Sequence, residues 1–212
     1  MLKIYQMYVT VFSQNCRVLA DETSKTAVIC DPGDKARSLH EHMQQAGLKA
    51  TAILLTHGHL DHAGGALELS KLSGAPIIGP AREDEYLLED LFGQAKAFGL
   101  PRPPENSLAC RWVEDGEELK LFDGCTFRVL KTPGHTPGGV CYYCAEEKLV
   151  LTGDTLFAGS IGRTDFPGGD EKALLKSIRE KLYVLPDDTK VLSGHGEDSR
   201  IGGEKLYNFF TS

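Results

Sequence analysis

Apolar and polar residues alternate along much of the chain, and the period of that alternation predicts the secondary structure. A period of two residues indicates a β-strand, and apolar residues three or four positions apart indicate an amphipathic helix. The chain opens with three segments of period two, and the turn Asp31-Pro32-Gly33 ends the third of them. The predicted strands are residues 4–12, 16–20, 26–30, 52–55, 76–78, 111–113, 126–130, 140–144, 149–151 and 190–192.

Helical spacing is clear in the segment that carries Ala36, Leu39 and Met43 and ends before Gly47. The predicted helices are residues 35–46, 64–72, 83–98, 171–182 and 203–210. Strand patterns resume directly after the proline-rich segment 101–104, so we expect no domain linker there and one domain over residues 1–212. Because strands dominate in two halves, the pattern favours two sheets packed together with helices outside.

Composition narrows the class of protein. The chain has 212 residues, of which 41% are hydrophobic and 25% charged, which excludes a disordered chain. The 30 acidic residues outnumber the 23 basic ones and give a formal charge of −7. A general nucleic-acid binder has a basic excess instead, so no nucleic-acid partner is expected.

Export and membrane signals are missing from the sequence pattern. No apolar run approaches the roughly 20 residues that cross a bilayer, and the N-terminal segment has no continuous apolar core of a signal peptide. We therefore expect a cytoplasmic protein with no membrane partner and with reduced cysteines. Cys141 and Cys144 are three apart on a predicted strand and should face opposite sides, so they are interpreted as structural. The oligomeric state is left open.

Candidate chemistry is concentrated in the histidines. Five of the seven lie in three short motifs, and a fourth motif carries a carboxylate, each following an apolar strand. Strand ends gather at one edge of a sheet, where ligand sites commonly form. The four motifs are His57-Gly58-His59-Leu60-Asp61-His62, Pro133-Gly134-His135-Thr136-Pro137-Gly138, Leu151-Thr152-Gly153-Asp154-Thr155 and Ser193-Gly194-His195-Gly196. The other two histidines, His40 and His42, are interpreted as surface residues of a helix.

The spacing within the first motif predicts two metal ions. His57 and His59 are two apart on an extended segment, so both imidazoles can reach one ion. Asp61 and His62 lie further round the turn and cannot easily join that ion, which indicates a second one. The residues alone do not allocate His135 or the remaining ligands between the two ions.

In their order along the chain, these motifs resemble those of the metallo-β-lactamase superfamily. The tract from Gly159 to Asp170 and the ending Gly194-His195-Gly196 are similar to the short, single-domain branch of its glyoxalase II-like hydrolases. The resemblance implies an α/β (α+β) fold, a four-layer αββα sandwich of two mixed β-sheets flanked by helices. Only residues 196–212 follow His195, so the C-terminal helical domain of long glyoxalase II enzymes is not expected.

The resemblance also implies a set of ligands. It assigns His57, His59 and His135 to a first metal, and Asp61, His62 and His195 to a second, with Asp154 bridging both. Two divalent ions are implied, zinc foremost, with iron or manganese as alternatives. Asp61 and Asp154 would orient the hydroxide formed from a bridging water, which attacks an acyl carbonyl. Asp31, at a strand end, is a candidate hydrogen-bond partner behind a ligand histidine.

The leading hypothesis is hydrolysis of a small thioester, S-lactoylglutathione or a related hydroxyacylglutathione. A thiolate leaves without a protonating acid, which fits a motif set without a Ser-His-Asp triad. Arg163 matches a basic position near the substrate in the family, but Asp165 replaces the aromatic residue of the long forms. Arg200 and Lys205 are further candidate anchors for a substrate carboxylate.

Three alternatives stay open at this point. A persulfide dioxygenase of the same superfamily uses one iron held by two histidines and one aspartate, here His57, His135 and Asp154. A lactone or other acyl hydrolase would use the same nucleophile, whereas a true β-lactamase is disfavoured because that group commonly has cysteine at the position of Asp154. A non-catalytic metal-binding or interaction protein is the third, although such relatives typically lose ligands.

Overall fold

A computed structural model describes residues 1–211 and places their strands in two main sheets and a short ribbon. The first sheet has the order β1-β2-β3-β4-β5, and the second has the order β13-β12-β9-β8-β7-β6. The strands are β1 Lys3–Val9, β2 Gln14–Asp21, β3 Thr26–Cys30, β4 Lys49–Leu54, β5 Ile77–Ile78, β6 Glu118–Phe122, β7 Cys125–Lys131, β8 Val140–Cys144, β9 Leu149–Gly153, β10 Leu156–Phe157, β11 Ser160–Ile161, β12 Lys190–Ser193 and β13 Ser199–Arg200. Strands β10 and β11 form the ribbon.

Helices lie outside both sheets. They are α1 Ala36–Gln45, α2 Leu60–Ala63, α3 Ala66–Ser73, α4 Glu85–Leu88, α5 Leu91–Phe98, α6 Glu171–Ser177 and α7 Ile201–Tyr207. A 3₁₀ turn, Arg82–Asp84, precedes α4, and a π-helical segment, Ile178–Leu182, continues α6. No helix within residues 1–211 is both long enough and apolar enough to cross a membrane.

Alternation along the strands builds the four layers. In β3, Ala27 and Ile29 pack towards α1 and α3, whereas Val28 and Cys30 pack between the two sheets. In the second sheet, the two cysteines of the CxxC segment divide in the same way. Cys144 faces the first sheet and Cys141 faces α6 and α7, and both thiols are buried. Each sheet therefore buries both faces, and the predicted αββα sandwich of two mixed sheets flanked by helices is confirmed.

The long helix predicted over residues 83–98 is wrong. The segment forms the 3₁₀ turn and two short helices, because Asp90 ends the first and starts the second. Its side chain accepts a hydrogen bond from the N–H of Gly93, as an N-cap residue does. At the start of the segment, Asp84 is fully buried.

Smaller differences occur at edges and ends. Residues 111–113 form one isolated bridge, between Arg111 and Ile78, in place of a strand. β6 was not predicted, although Glu118, Leu119, Lys120 and Leu121 alternate between charged and apolar residues. The first strand ends at Val9, since Thr10 and Ser13 adopt positive φ in the turn that follows. The last helix begins at Ile201, two residues before its predicted start, and ends at Tyr207.

One edge of the sandwich collects the ends of the strands that precede the histidine motifs. β12 runs parallel to β9, and β8 is antiparallel to both β7 and β9, so β7, β9 and β12 share one direction. The segments that follow them meet the segment that follows β4 of the first sheet. The two halves of the chain therefore face each other across this edge.

Candidate metal centre

Three histidines from both halves form a triangle, which we call the first cluster (His57, His59 and His135). The ring centroids lie 4.8 Å apart for His57 and His59, 4.9 Å for His57 and His135, and 4.7 Å for His59 and His135. A ligand nitrogen from each ring lies within 4.8 Å of the others, so the three could hold one divalent ion.

A second group beside it, the second cluster (Asp61, His62 and His195), combines one carboxylate with two imidazoles. Oδ2 of Asp61 lies 3.3 Å from Nε2 of His195 and 3.7 Å from Nε2 of His62. Their ligand atoms also lie within 4.8 Å of one another. The spacing within the motif predicts that Asp61 and His62 lie apart from the His57–His59 pair, and the structure places them so.

Asp154 lies between the two clusters. Its Oδ1 is 3.2 Å from Nε2 of His62, and its Oδ2 is 3.6 Å from Nε2 of His135 and 3.7 Å from Nε2 of His195. The two carboxylate oxygens therefore contact histidines of both clusters, the arrangement that a bridging ligand needs.

The donor atoms fit a metal better than they fit one another. Nε2 of His57, Nε2 of His62 and Oδ1 of Asp154 are buried and have no hydrogen-bond partner. Such buried polar atoms are costly unless something binds them. Meanwhile Nδ1 of each of four histidines is within hydrogen-bond distance of an oxygen, which fixes the ring and leaves Nε2 towards the centre. The oxygens are Thr56 Oγ1 for His57, Asp31 Oδ2 for His62, the Arg163 carbonyl for His135 and the Phe12 carbonyl for His195.

The two clusters differ in charge. Burial, with the neighbouring histidines, holds the pKa of His57 well below its ordinary value and lowers that of His59 to about 3, so both imidazoles are neutral. Burial opposes the charged form of His62 as well, but Asp154, Asp61 and Asp31 outweigh it and raise its pKa well above the ordinary value. Burial would raise the pKa of Asp154, yet His62 and the other histidines hold it well below its usual range.

Asp31 lies behind the second cluster, at the position expected of it. Its Oδ2 accepts hydrogen bonds from Nδ1 of His62 at 2.9 Å and from the hydroxyl of Thr56 at 2.7 Å, and its Oδ1 accepts one from the N–H of Thr56 at 2.8 Å. It also forms the turn before Gly33, whose N–H donates to its carbonyl. Both interpretations of Asp31, as a partner of a histidine and as a turn residue, describe the same buried side chain.

A cavity of about 200 Å³ opens above the clusters. Its floor includes His59, Asp61, His135, Asp154 and His195, and most of its wall is apolar. Three phenyl rings from distant segments meet in that wall: the centroids of Phe12 and Phe98 are 6.0 Å apart, and those of Phe98 and Phe166 are 5.6 Å apart. None of the three rings was singled out from the sequence, because each is an isolated aromatic residue there.

Of the three predicted substrate anchors, the structure brings one to this cavity. The Arg163 guanidinium lies 4.0 Å over the ring of Phe166, and its Nε and Nη2 each donate a hydrogen bond to the carboxylate of Asp165. Arg200 instead donates to the carbonyl of Asp188, and Lys205 pairs with the carboxylate of Asp187. Neither of these two lines the cavity.

Comparison with known proteins agrees with the fold and the motifs. The family model described as the metallo-beta-lactamase superfamily matches residues 9–195. Hydroxyacylglutathione hydrolase GloC of Haemophilus influenzae is 46% identical over 203 residues, covering 95% of this chain and 94% of that protein.

Two solved structures superpose over nearly the whole chain. The B3 metallo-β-lactamase BLEG-1 has a TM-score of 0.90 and 36% identity, covering 99% of this chain and 100% of that one. TTHA1623 in a di-iron-bound form has a TM-score of 0.85 and 37% identity, covering 97% and 99%. Together with the geometry above, these matches show that the chain belongs to the metallo-β-lactamase superfamily of metal-dependent hydrolases.

Proposed function

We propose that the protein is a binuclear metallohydrolase that cleaves thioesters of the hydroxyacylglutathione class. The observation that carries the proposal is the position of Asp154, whose carboxylate contacts both clusters under an apolar cavity. His57, His59 and His135 would hold one ion, Asp61, His62 and His195 the other, and Asp154 both. Likeness to GloC supports the substrate class, and the six free cysteines, five of them buried, fit a cytoplasmic setting.

The chain's own residues supply orientation and exclusion of water. Divalent ions on such ligands supply Lewis-acid polarisation of a carbonyl and acidify water to a pKa near ~7. Asp154 and Asp61 hold the acceptor oxygens that orient a water molecule at the floor of the cavity. The phenyl rings of the wall exclude bulk water from the reacting carbonyl, which strengthens electrostatic interactions there.

The test is steady-state hydrolysis of S-lactoylglutathione by zinc-loaded protein, followed by release of free thiol. We expect kcat/KM above about 10⁴ M⁻¹s⁻¹ for a dedicated substrate. Asp154→Asn should lose at least ~100-fold in kcat, because the link between the two clusters loses its charge. Asp123→Asn, an exposed carboxylate in the turn between β6 and β7, is the matched control and should retain the rate.

Metal content and oxygen uptake separate the remaining alternatives. The same protein, loaded with iron in place of zinc and given a glutathione persulfide, should consume no oxygen. Oxygen uptake with absent thioester turnover would identify the persulfide dioxygenase instead. Turnover of lactones with no turnover of any thioester would keep the metal centre and replace the substrate class.

A further inference from the structure

Asp84 is a buried carboxylate outside both clusters. It ends the 3₁₀ turn Arg82–Asp84, in the connection between the two halves of the chain, and its exposed fraction is 0%. A carboxylate leaves water only at a large cost unless hydrogen bonds replace those of water. The hydrogen-bond partners of Asp84 therefore indicate its structural role.

Those partners come from two loops. Oδ2 of Asp84 accepts a hydrogen bond from the N–H of Gly58 at 2.9 Å and another from the hydroxyl of Thr136 at 2.8 Å. Oδ1 accepts one from the N–H of Gly138 at 2.6 Å. A Cβ on Gly138 would lie 2.5 Å from the backbone nitrogen of Asp84, so this close approach requires glycine there.

The two loops are the ones that carry the first cluster. Gly58 is the middle residue of the His57–His59 pair, which belongs to the first half of the chain, and Thr136 directly follows His135 of the second half. One carboxylate thus joins the loops whose spacing sets the triangle of imidazoles. It does so through short hydrogen bonds in a buried position, where such bonds are strong.

Charge supplies a second argument. All three side chains of the first cluster are histidines, whereas the second cluster contains Asp61 and has Asp31 in contact with His62. Asp84 lies against both loops of the first cluster through its hydrogen bonds to Gly58, Thr136 and Gly138. It is placed to give the first cluster a buried negative charge, as Asp31 does for the second.

We propose that Asp84 is the positioning residue of the first cluster, holding the histidines of the two halves at the spacing that one metal ion needs and raising the affinity of that cluster for a cation. The inference rests on the proposed function only in that the cluster binds a metal ion. It does not depend on the substrate.

The experiment measures the metal affinity of each cluster separately. Zinc is titrated against a competing chelator, and the imidazole ¹⁵N signals of the histidines report which cluster fills. We expect Asp84→Asn to weaken zinc binding at the first cluster at least ~10-fold and at the second less than ~2-fold. Asp31→Asn should instead weaken the second cluster more than the first, since its carboxylate contacts His62 directly and reaches His57 only through Thr56.

Thr136 provides variants with smaller effects on folding. Thr136→Val removes one hydrogen bond to Asp84 and should weaken the first cluster in the same direction, whereas Thr136→Ser should restore it. Amide exchange in metal-free protein gives a readout without metal: Asp84→Asn should expose the N–H groups of Gly58 and Gly138 together.

Equal weakening of both clusters by Asp84→Asn, or an unchanged first cluster, would overturn the inference. Because the titration needs no turnover, its outcome is separate from that of the thioester assay. A protein that binds two ions and hydrolyses no thioester refutes the proposed function and leaves the role of Asp84 standing.

Discussion

Gly194 lies at a point in the metal centre where no side chain fits. A Cβ there would be 2.5 Å from Oδ1 of Asp154 and 2.6 Å from Cε1 of His62. Gly194→Ala should therefore push these two groups apart, weaken metal binding at the second cluster at least ~10-fold and lower the free energy of unfolding by about 1–3 kcal/mol. Zinc titration and urea unfolding measure the two effects.

Gly203→Ala is the matched control for that variant. Its Cβ would meet no atom within 4 Å, and the residue lies within α7, where alanine is favoured over glycine by up to about 1 kcal/mol. We expect unchanged metal binding and equal or greater stability. If the two alanine variants behaved alike, crowding at the centre would not be the cause.

How far single residues are predictable depends on what marks them in the sequence. The seven proposed ligands could be proposed from the sequence because residue type and spacing together mark them as candidates. Asp84 could not, because in the run Arg82-Glu83-Asp84-Glu85 it has the pattern of a solvated helix start. Only the two loops folded against it make it a buried acceptor, and no local spacing records that contact.

At the scale of elements, β2 fixes the loop that carries His195. The Asn15 amide donates to the carbonyls of Ser193 and Gly196, at 3.1 and 2.9 Å. Arg17 pairs with Asp198 at 2.6 Å and donates to the carbonyl of Ser193. Two side chains of the first sheet thus anchor a loop of the second.

Replacing the arginine tests this anchor. Arg17→Met keeps most of the apolar stem and removes the hydrogen bonds of a side chain that is 4% exposed, while Asp198 is 48% exposed and can turn to water. We expect a loss of about 1–3 kcal/mol in the free energy of unfolding and weaker zinc binding at the second cluster. Arg37→Met breaks the exposed pair with Glu68 and should change stability by less than about 0.5 kcal/mol. Similar losses for both variants would count against the anchor.

The end of α5 contributes a wall of the cavity. Phe98 is 45% exposed and meets Phe12 and Phe166 above the clusters, so its ring is available to an apolar acyl group. Phe98→Ala should lower kcat/KM for S-mandeloylglutathione about 10-fold and for S-lactoylglutathione less than about 3-fold, because the aryl group loses more contact. Phe210→Ala, exposed and outside the cavity, is the control. Equal effects on both substrates would exclude acyl contact.

Elements were predicted well where one period persists and poorly where it changes. The strands 26–30 and 140–144 were predicted with their observed ends, because most side chains on both faces of each strand are buried. Residues 83–98 carry a helical period throughout, but Asp90 divides them by capping a new helix. A side-chain cap of this kind competes with continuation of the preceding helix, and the apolar period alone does not show which of the two forms.

On the scale of the whole molecule, the proposed metal centre is shared by the two halves of the chain, and its two clusters differ in charge. The first half supplies His57, His59, Asp61 and His62, and the second half supplies the other proposed ligands. The sandwich was predictable because both sheets bury both faces. Motif spacing separated Asp61 and His62 from the His57–His59 pair, but the allocation of His135, Asp154 and His195 depends on how the halves face each other and came only from family resemblance.

Unequal charge predicts unequal dependence of metal binding on pH. The pKa of His57 is held well below its ordinary value and that of His59 is lowered to about 3, so both are neutral near pH 7 and release no proton there when a metal binds. In the second cluster the opposite holds: despite burial, carboxylates raise the pKa of His62 and of His195, so a metal must displace protons there. Lowering the pH therefore weakens the second cluster first.

Zinc titration between about pH 6 and pH 8 measures the difference. Each displaced proton changes apparent affinity about 10-fold per pH unit, so the second cluster should strengthen by at least that factor per unit while the first changes little. On acidification, the ion in the second cluster should leave first, and thiol release from the substrate should fall with it rather than with loss of the first ion. Asp31→Asn removes a carboxylate in contact with His62, so its second cluster should show a shallower pH dependence. Equal slopes for the two clusters would mean that the carboxylates around His62 do not hold a proton that the metal replaces.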